Sequence, residues 1–396
     1  MAEEQEMDMN DNAVALEDNE LPEDFETKSV VDYVVSRYNK SDDYRQQDED
    51  RWLRAYRNYR GIYGPDVQFT EAEKSRVFIK TTKTKTLAAY GQIVDVLFGG
   101  NKFPLSIEPT ELPDGVVADV HFDPKAPQEL NNEQDLESPY GFKGDGKELP
   151  AGATEKSLKD SLGPLSEKLA DKVHDQLEES NASMHLRSAS FEMSLFGTGI
   201  MKGPFAVDKE YPNWDEGGEY NPLIKTVPEV TQVSVWNFYP DPDAYSIEEA
   251  QYVIERHKMS RSQLRGLKKR PYFRDSVIDE VIEMGENYVK KSWEDDLTDY
   301  APEHGIDRFS VLEYWGMIDT ELLIEQGVDI PTDLKDTDEL QANVWICNGK
   351  LLRMVLNPFK PAKIPYMAVP YELNPYSFFG VGIAENMDDT QTLMNG

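Results

Sequence analysis

The chain contains few of the residues from which disulfides, metal sites and membrane anchors are built. Cys347 is its single cysteine, so neither an intrachain disulfide nor a thiolate metal cluster can form. Its five histidines show neither H-x3-H nor HExxH spacing. No apolar run reaches the ~18 residues of a membrane span, and the N-terminus has no basic segment followed by an apolar core. These absences predict an intracellular protein without a membrane anchor or a metal site.

Basic residues are also scarce relative to acidic ones. The chain has 41 Lys or Arg and 75 Asp or Glu, which gives a formal net charge of −34. Binding DNA by its backbone requires lysines and arginines that displace counterions, so a surface this acidic repels duplex DNA. The charge therefore disfavours repressors and packaging nucleases, and it is compatible with a conduit through which DNA slides without adhering.

The acidic residues are densest at the N-terminus. Residues 1–26 hold eleven Asp or Glu and no Lys or Arg. Such a segment cannot bury enough apolar area to offset its ordering entropy, which predicts a disordered acidic tail. Two roles remain open for it, a solubilising tail or a docking arm for a basic partner.

Hydrophobic periodicity predicts an α+β fold, and the length allows two or three compact units. Helices are predicted at 29–60, 71–98, 165–195 with a break near Asn181, 261–267 and 275–288, and strands at 103–109, 199–207, 225–235, 252–259, 309–318, 344–347 and 350–356. Residues 110–160 are polar with little periodicity, which predicts an exposed insertion or a disordered loop. Residues 295–306 are predicted as a second loop.

The motifs that could carry chemistry are incomplete. The segment 141–147 matches G-x4-G-K, but Glu148 stands where a phosphate-binding loop has Ser or Thr, and no strand precedes it. Asp241 and Asp243 could contribute to a Ca²⁺ or Mg²⁺ site, yet the further oxygen ligands are missing. We interpret this pair as a surface turn that caps a helix near Ser246. The pair Asp295 and Asp296 is interpreted as a loop.

Two isolated features have an ordinary structural interpretation beside a functional one. Arg76, Lys80, Lys83 and Lys85 form a basic segment, which is either a phosphate-facing patch or a helix face paired with acidic neighbours. Cys347 precedes an Asn-Gly dipeptide typical of a type I′ hairpin turn. We therefore expect a small buried side chain there, not a catalytic thiol. The sequence predicts no catalytic residue, no cofactor and no metal.

Residues 364–396 are the most informative part of the sequence. An aromatic, strand-like stretch at 366–371 precedes a turn at 374–375, then the glycines Gly380 and Gly382, then a helical pattern from near Ile383. The sequence stops within that pattern. Because a folded domain rarely ends on an unfinished amphipathic helix, we expect the chain to be truncated.

Four segments in this order resemble the portal protein of tailed bacteriophages, the short-tailed kind especially. They are residues 196–203 (FGTGIMKG), residues 235–244 followed by 255–260, residues 311–316 through 348–353 and 357–358, and the approach to the stem helix at 380–395. In the first, Gly197 and Gly199 would let the chain turn from a helix onto a sheet. In the third, residues 313–315 would bury aromatic side chains on one face and keep the other face wet.

The resemblance covers about residues 30–396 and implies a portal fold that is incomplete here, with long N-terminal helices and a mixed β wing domain leading into a stem helix. On that basis the domains are a disordered acidic tail (1–26), an N-terminal helical part of the wing and hip (27–110), a polar flexible insertion (111–162), an α+β wing domain (163–372) and the start of the stem helix (373–396). The clip, second stem helix, tunnel loop and crown would be missing.

The function implied by the resemblance is that of a portal subunit, not an enzyme. The family forms a homo-oligomeric ring, a 12-mer in the mature head, at one capsid vertex, through which double-stranded DNA is packaged and ejected. Its partners would be the terminase large subunit, head-tail adaptor and tail proteins, and the major capsid and scaffolding proteins. The protein would reside in the virion and, during assembly, in the host cytoplasm.

The resemblance also suggests candidate residues in the last segment. The candidate hinge glycines are Gly380 and Gly382, and the candidate subunit contacts are Glu385, Met387, Gln391 and Asn395. Two other functions stay open: another head-tail or scaffold component, and a metal-dependent nuclease that uses the acidic pairs around Asp241 and Asp295.

Overall fold

The computed structural model describes residues 23–65, 67, 77–100, 105–107, 155–214, 219–297 and 307–395, with side chains from residue 30 in the first range and from residue 166 in the range 155–214. These residues divide into two compact units. The first is drawn from 1–94, 184–205 and 230–396, and the second from 95–183 and 206–229. No helix of the described part is long and apolar enough to cross a membrane.

The elements mix helices with antiparallel strands. The helices are α1 (Glu23–Arg60), α2 (Thr81–Phe98), α3 (Glu155–Glu179), α4 (Ala182–Phe196), α5 (Arg261–Gly266), α6 (Asp275–Met284), α7 (Ser292–Leu297), α8 (Thr320–Glu325), α9 (Ile383–Asn386) and α10 (Asp388–Asn395). The strands are β1 (Thr198–Tyr211), β2 (Leu223–Val233), β3 (Phe238–Pro240), β4 (Tyr252–Met259), β5 (Phe309–Asp319), β6 (Glu339–Cys347), β7 (Lys350–Leu356) and β8 (Tyr366–Pro370).

A five-stranded antiparallel sheet organises the first unit, in the order β3-β4-β5-β6-β7. Residues 311–319 of β5 pair with residues 347–339 of β6. The β6–β7 hairpin turns at Asn348 and Gly349, whose φ angles of 52° and 71° are those a two-residue type I′ turn requires. Cys347 is buried beside this turn, as predicted.

The two faces of this sheet are buried against different elements, and successive residues of β6 point to opposite faces. Val344 and Ile346 belong to a second core, which includes Val30, Val31 and Val34 of α1. Trp345 and Cys347 belong to a third core, which the sheet shares with α5 and α6. Because both faces are covered, most residues of β5 and β6 are buried and their burial shows little alternation.

The first core contains the largest aromatic cluster of the described residues. Trp52 of α1 lies 4.8 Å from Phe379, 5.3 Å from Trp236 and 6.5 Å from Phe196, measured between ring centroids in edge-to-face arrangements. Such pairs add to the stabilisation from burial alone. This core therefore attaches the C-terminal half of α1 to the end of α4 and to the segment before α9.

Arg45 joins α1 to the five-stranded sheet, although it lies in a charged stretch of the helix, residues 42–50, that separates two groups of apolar residues. Its side chain is fully buried. The guanidinium donates to the carbonyl oxygen of Phe238 at 2.7 Å and to that of Trp236 at 3.2 Å, and it pairs with Glu49 at 3.1 Å. A buried cation is tolerated only with such partners. The charged stretch therefore attaches α1 to the segment 236–238, and the helix is continuous from Glu23 to Arg60.

A smaller sheet has the order β2-β1-β8. In it, residues 198–202 of β1 pair with residues 370–366 of β8 in antiparallel register. The strand β1 begins directly after Gly197, whose φ of 94° reverses the chain at the end of α4. Gly199 has no such φ; a side chain there would lie 2.6 Å from the carbonyl oxygen of Ala189, so its role is close packing.

The second unit contains α3 and the outer parts of β1 and β2. Lys225 forms an ion pair with the Glu179 carboxylate, and Lys209 donates to the Glu179 carbonyl oxygen at 3.1 Å. Near the hairpin end, the rings of Trp214 and Tyr220 lie 5.5 Å apart. Helix α3 ends before Asn181, whose φ of 56° suits an asparagine at a helix C-terminus.

Most predicted helices and strands are confirmed, including the helix break near Asn181. Several details are wrong, among them the end of α6, which is predicted at 288 and lies at Met284, and the start of β6, which is predicted at 344 and lies at Glu339. The helix predicted from 71 begins at Thr81, residues 105–107 form no strand, residues 295–297 belong to α7, and turns, not a helix, follow Ser246. The predicted tail up to residue 22, the predicted insertion up to residue 154 and the motif at 141–148 lie outside the described residues. Helix α1 begins within the predicted tail, at Glu23, and helix α3 begins within the predicted insertion, at Glu155.

The prediction that β5 has one wet face is also wrong. Both faces of residues 311–316 are buried, and Glu313 is only 2 % exposed. The sequence alone suggested a solvated glutamate, because the partners of Glu313 lie on strands that are distant in sequence and cannot be recognised from its neighbours.

Candidate functional site: the C-terminal junction

The segment from Gly380 to α10 is held against the end of α4 by close backbone packing. A side chain on Gly197 would place its first carbon 2.3 Å from the carbonyl oxygen of Gly380, and one on Gly382 would lie 2.5 Å from that of Leu195. The amide of Gly380 donates to Thr198 Oγ1 at 2.9 Å, and that of Tyr371 donates to the Gly197 carbonyl oxygen at 2.8 Å. The glycine motif at 196–199 and the glycines at 380–382 therefore form one junction.

Helices α9 and α10 are attached to α1 by ion pairs. Arg51 pairs with Glu385 at 3.2 Å, and Asp388 pairs with Arg54 at 3.5 Å. Asn58 donates to the same Asp388 carboxylate at 2.7 Å. Asp388 lies in the first turn of α10, where a negative charge interacts favourably with the helix dipole. These contacts are partly exposed, so each contributes modestly to stability.

Gln391 connects α10 to the beginning of α2. Its amide oxygen accepts from the backbone N–H and from the hydroxyl of Thr82, both at 3.0 Å, and its amide nitrogen donates to the Ile79 carbonyl oxygen at 2.5 Å. Asn395 accepts from the Ile79 amide at 3.0 Å. Gln391 thus accepts a hydrogen bond from a first-turn N–H of α2 that has no partner within the helix.

We expect Gln391→Leu to loosen the start of α2. The substitution leaves the buried N–H of Thr82 without its acceptor, which costs about 1–3 kcal/mol locally. Hydrogen exchange of a peptide covering residues 77–90 should become at least about tenfold faster. Thr392→Ala, at an exposed neighbouring position, is the matched control and should leave exchange unchanged. Equal protection in the Gln391→Leu variant and the wild type would contradict this role.

The structure separates the six candidate residues into three groups. Gly380 and Gly382 lie in the backbone junction. Glu385, Gln391 and Asn395 have partners within the chain, and Met387 is the C-cap residue that follows α9. Two residues of α10 were not among the candidates although they are strongly exposed: Leu393 is 82 % exposed and Met394 45 %. An apolar residue on the outer face of an amphipathic helix was the signal that could have identified them.

A buried cluster of charges lies between the two sheets of the first unit. Lys202 of β1 donates to Glu255 at 2.8 Å and to Glu313 at 2.5 Å. The two glutamates are a directly opposed cross-strand pair of β4 and β5. Like charges in that position repel each other, and the lysine ammonium neutralises them.

Three further side chains complete the cluster. Tyr366 donates to Glu255 at 2.7 Å, Trp315 donates to the second oxygen of Glu313 at 2.7 Å, and the His257 ring lies 2.7 Å from Glu313. Burial alone would raise the pKa of Glu313, but Lys202 and His257 outweigh this effect and hold its pKa well below the ordinary value. Glu313 is therefore ionised at neutral pH.

By residue type, Glu255, His257 and Glu313 could also hold a metal ion, since their ligand atoms lie within 4.8 Å of one another. The Lys202 ammonium, however, lies within hydrogen-bond distance of both carboxylates. A cation from the chain itself occupies the position a metal would take. The cluster is thus an attachment between β1, β4, β5 and β8.

Glu192 of α4 is a second carboxylate whose pKa is changed by burial. It accepts from Ser234 Oγ at 2.7 Å and from the amide of Val235 at 3.0 Å, which joins α4 to the turn before β3. Burial raises the pKa of Glu192 to about 7, against the lowering effect of these hydrogen bonds.

This raised pKa predicts a pH dependence of stability. The unfolded carboxyl ionises near its ordinary value of 4.5, whereas the folded one keeps its proton until about pH 7. Glu192 therefore stabilises the fold fully below pH 4.5, and this contribution is lost as the pH rises through 7. Relative to Glu192→Gln, the unfolding equilibrium constant of the wild type should rise about tenfold or more between pH 4.5 and 8. A constant difference across that range, measured by urea unfolding, would contradict the prediction.

The acidic pairs considered for metal binding have partners within the chain. Asp241 is buried and accepts from the amides of Asp243 and Gln251, both at 3.2 Å. Asp295 pairs with Lys290, and Asp296 pairs with Arg57 at 2.8 Å. Asp241 is therefore a buried turn residue, which corrects the prediction of a surface turn. The helix that it was expected to cap does not form.

The comparisons with known proteins agree with the fold. The model of the family described as Phage SU10 portal protein matches residues 147–394, which is more than half of the chain. The chain belongs to this family of phage portal proteins, and its mixed helices and antiparallel sheets are consistent with that assignment. The family is structural, forms oligomeric assemblies and is a component of the virion capsid. No curated protein matches the chain.

Proposed function

We propose that this protein is a subunit of a dodecameric ring at one capsid vertex, through which DNA is packaged and ejected. The observation that carries the proposal is the family match, which runs from residue 147 through the five-stranded sheet to α10 at residue 394. The net charge of −34 supports it, because duplex DNA moves easily past a surface that it does not bind.

The proposed ring would have several partners. It would dock the terminase large subunit during packaging, then head-tail adaptor and tail proteins, and it would contact the major capsid and scaffolding proteins. It would assemble in the host cytoplasm and remain in the virion. It would take no nucleotide, metal or other cofactor and would perform no catalysis. The chain's own partners for Asp241, Asp295 and Asp296 support this last point.

The C-terminal junction has a proposed role in this ring. Gly380 and Gly382 would form the hinge between wing and stem, and α9 and α10 would carry contacts to the neighbouring subunit. Met387 is partly exposed and available for such a contact. Glu385, Gln391 and Asn395 would contribute by positioning α10 through their partners on α1 and on residues 79–82. Leu393 and Met394 would supply the apolar contact area.

The vertex location is tested by immunogold electron microscopy of purified phage particles. An antibody against this protein should label one vertex per particle. Particles whose tail has been removed by mild denaturant should keep this label. Particles of an unrelated phage are the control and should not be labelled. Label spread over many vertices or found only on the tail fibres would contradict a portal and indicate a different structural component.

A further inference from the structure

Residues 261–274 form the most basic segment of this acidic chain. They contain Arg261, Arg265, Lys268, Lys269, Arg270 and Arg274 and no acidic residue. They build α5, the short turn after it and the loop that leads to α6. An exposed patch of one charge in a chain of net charge −34 marks a surface for an oppositely charged partner.

Three of these six cations have side-chain partners among the described residues. Arg261 pairs with Glu286 at 2.7 Å and Lys268 with Asp279 at 2.5 Å, and Arg274 donates to the Gln326 side chain at 3.2 Å. Arg265, Lys269 and Arg270 are exposed and pair with no carboxylate of the described residues. Together with Tyr272, these three form what we call the basic platform.

The basic platform is rigidly presented. Ser260 begins α5 with a capping box, in which its hydroxyl accepts from the Gln263 amide and the Gln263 side chain accepts from the Ser260 amide. Leu264, Leu267 and Phe273 alternate with the platform residues and are buried in the third core. The backbone that carries the cations is therefore fixed, which lowers the backbone entropy lost on binding.

Tyr272 adds an independent sign of a binding surface. Its side chain is 75 % exposed, and its backbone is held at a φ of 66°. A bulky residue seldom adopts this left-handed conformation, and strained residues of this kind concentrate at functional sites. Tyrosine is also enriched in protein interfaces, where its ring is buried and its hydroxyl stays hydrated.

The charge of the platform indicates its occupant. Residues 1–22 contain eight acidic residues and no basic one. Duplex DNA fits less well, because three unpaired cations are few against the repulsion from the rest of the chain. The N-terminal part of α1 packs in the second core and α5 packs in the third, on the opposite face of the five-stranded sheet. The segment of the same copy is therefore attached on the other side of the sheet, and in the proposed ring a neighbouring copy supplies a second such segment.

We propose that the basic platform binds the acidic N-terminal segment, residues 1–22, of a second copy of this chain. The inference rests on the proposed ring, which places copies side by side. Such a contact strengthens the assembly because each bound segment adds a linkage to an existing interface, at high effective concentration. The bound acidic segment also covers the basic platform, so that DNA cannot bind there.

The test is carbodiimide cross-linking of rings co-expressed from two full-length variants. In one, the eight acidic residues of 1–22 are replaced by their amides, and the platform is intact. The other keeps the acidic segment but carries Lys268→Arg and Lys269→Arg, so it has no amine there to couple. Mass spectrometry should then find carboxylates of 1–22 joined to Lys268 or Lys269, and each such link must connect two copies.

Charge reversal completes the design. Arg265→Glu with Arg270→Glu, added to the chain with the intact platform, keeps the Lys269 amine and should reduce the links at least tenfold. Lys168→Glu with Lys172→Glu, at two exposed lysines of α3, makes the same change of charge and should leave the number of links unaffected.

The alternative outcomes contradict the inference in different ways. Intact rings without these links, or links that are as frequent after Arg265→Glu and Arg270→Glu as before, overturn the inference and leave the proposed function standing. Absence of rings overturns both. Binding of a 30-base-pair DNA duplex, seen by fluorescence anisotropy and lost with Arg265→Glu and Arg270→Glu, would assign the platform to DNA and overturn the inference as well.

Discussion

Replacing Lys202 with methionine is expected to destabilise the protein by about 3–5 kcal/mol. The substitution keeps the apolar stem but leaves Glu255 and Glu313 facing each other with their shared ammonium removed. Removing one partner of a buried ion pair leaves an uncompensated charge, and the cost is of this order. Urea unfolding followed by tryptophan fluorescence measures it, since Trp315 donates to Glu313 within the same cluster.

Two further variants make the Lys202 experiment decisive. Lys40→Met removes an exposed pair with Asp243 and should change stability by less than about 1 kcal/mol. Adding Glu255→Gln and Glu313→Gln to Lys202→Met should recover part of the loss, because the repulsion disappears together with the charges. A Lys202→Met variant as stable as Lys40→Met would show that the cluster does not hold the two sheets together.

Replacing Gly197 with alanine is expected to cost about 2–4 kcal/mol. Alanine is unfavourable at a φ of 94°, by about 1–2 kcal/mol. Its methyl group would also lie 2.3 Å from the Gly380 carbonyl oxygen, so the backbone of the junction must shift. Overpacking that forces such shifts typically costs about 1–3 kcal/mol. Urea unfolding gives the total, and hydrogen exchange should be faster in residues 371–382.

Gly266 provides the matched control for the junction. It has helical angles, with φ −61° and ψ −25°, and a side chain there would meet nothing within 4 Å. Gly266→Ala should therefore be neutral or stabilising by about 0.5–1 kcal/mol. If Gly197→Ala and Gly266→Ala had the same effect, the close contact of α4 with the C-terminal segment would not exist in solution.

Local features of the fold followed from the sequence because they depend on neighbouring residues. The hairpin at Asn348 and Gly349 needs two residues that tolerate a positive φ, and an Asn-Gly pair in a β-context specifies it. The α3–α4 break at Asn181 and the strand β4 were predicted for similar reasons. The end of α2 at Phe98 was predicted, but its beginning at Thr81 and the helix α7 were not, because tertiary contacts help to decide where helices begin.

The features that depend on contacts distant in sequence could not be predicted. Glu313 has the pattern of a solvated strand residue, and only the folded chain brings Lys202 and Tyr366 to it. Gln391 was selected as a subunit contact, yet its donors and acceptor lie at Ile79 and Thr82, more than three hundred residues earlier. The order of weak motifs identified the family, whereas the role of each residue required the geometry.

The glycines illustrate how far a motif can be interpreted. Gly197 was expected to reverse the chain, and its positive φ confirms this. The reason for Gly199 and Gly382 is different, since both allow backbone atoms of another segment to approach closely. A sequence shows that glycine is present at such a position, but not which atoms it must accommodate.

The central claim, that this chain is a portal subunit, is tested most directly by electron microscopy of the protein expressed from its complete reading frame. Two-dimensional class averages should show closed rings of about a dozen subunits around a central hole. Monomers, or open filaments at high protein concentration, would contradict the claim and favour an accessory structural protein of the virion.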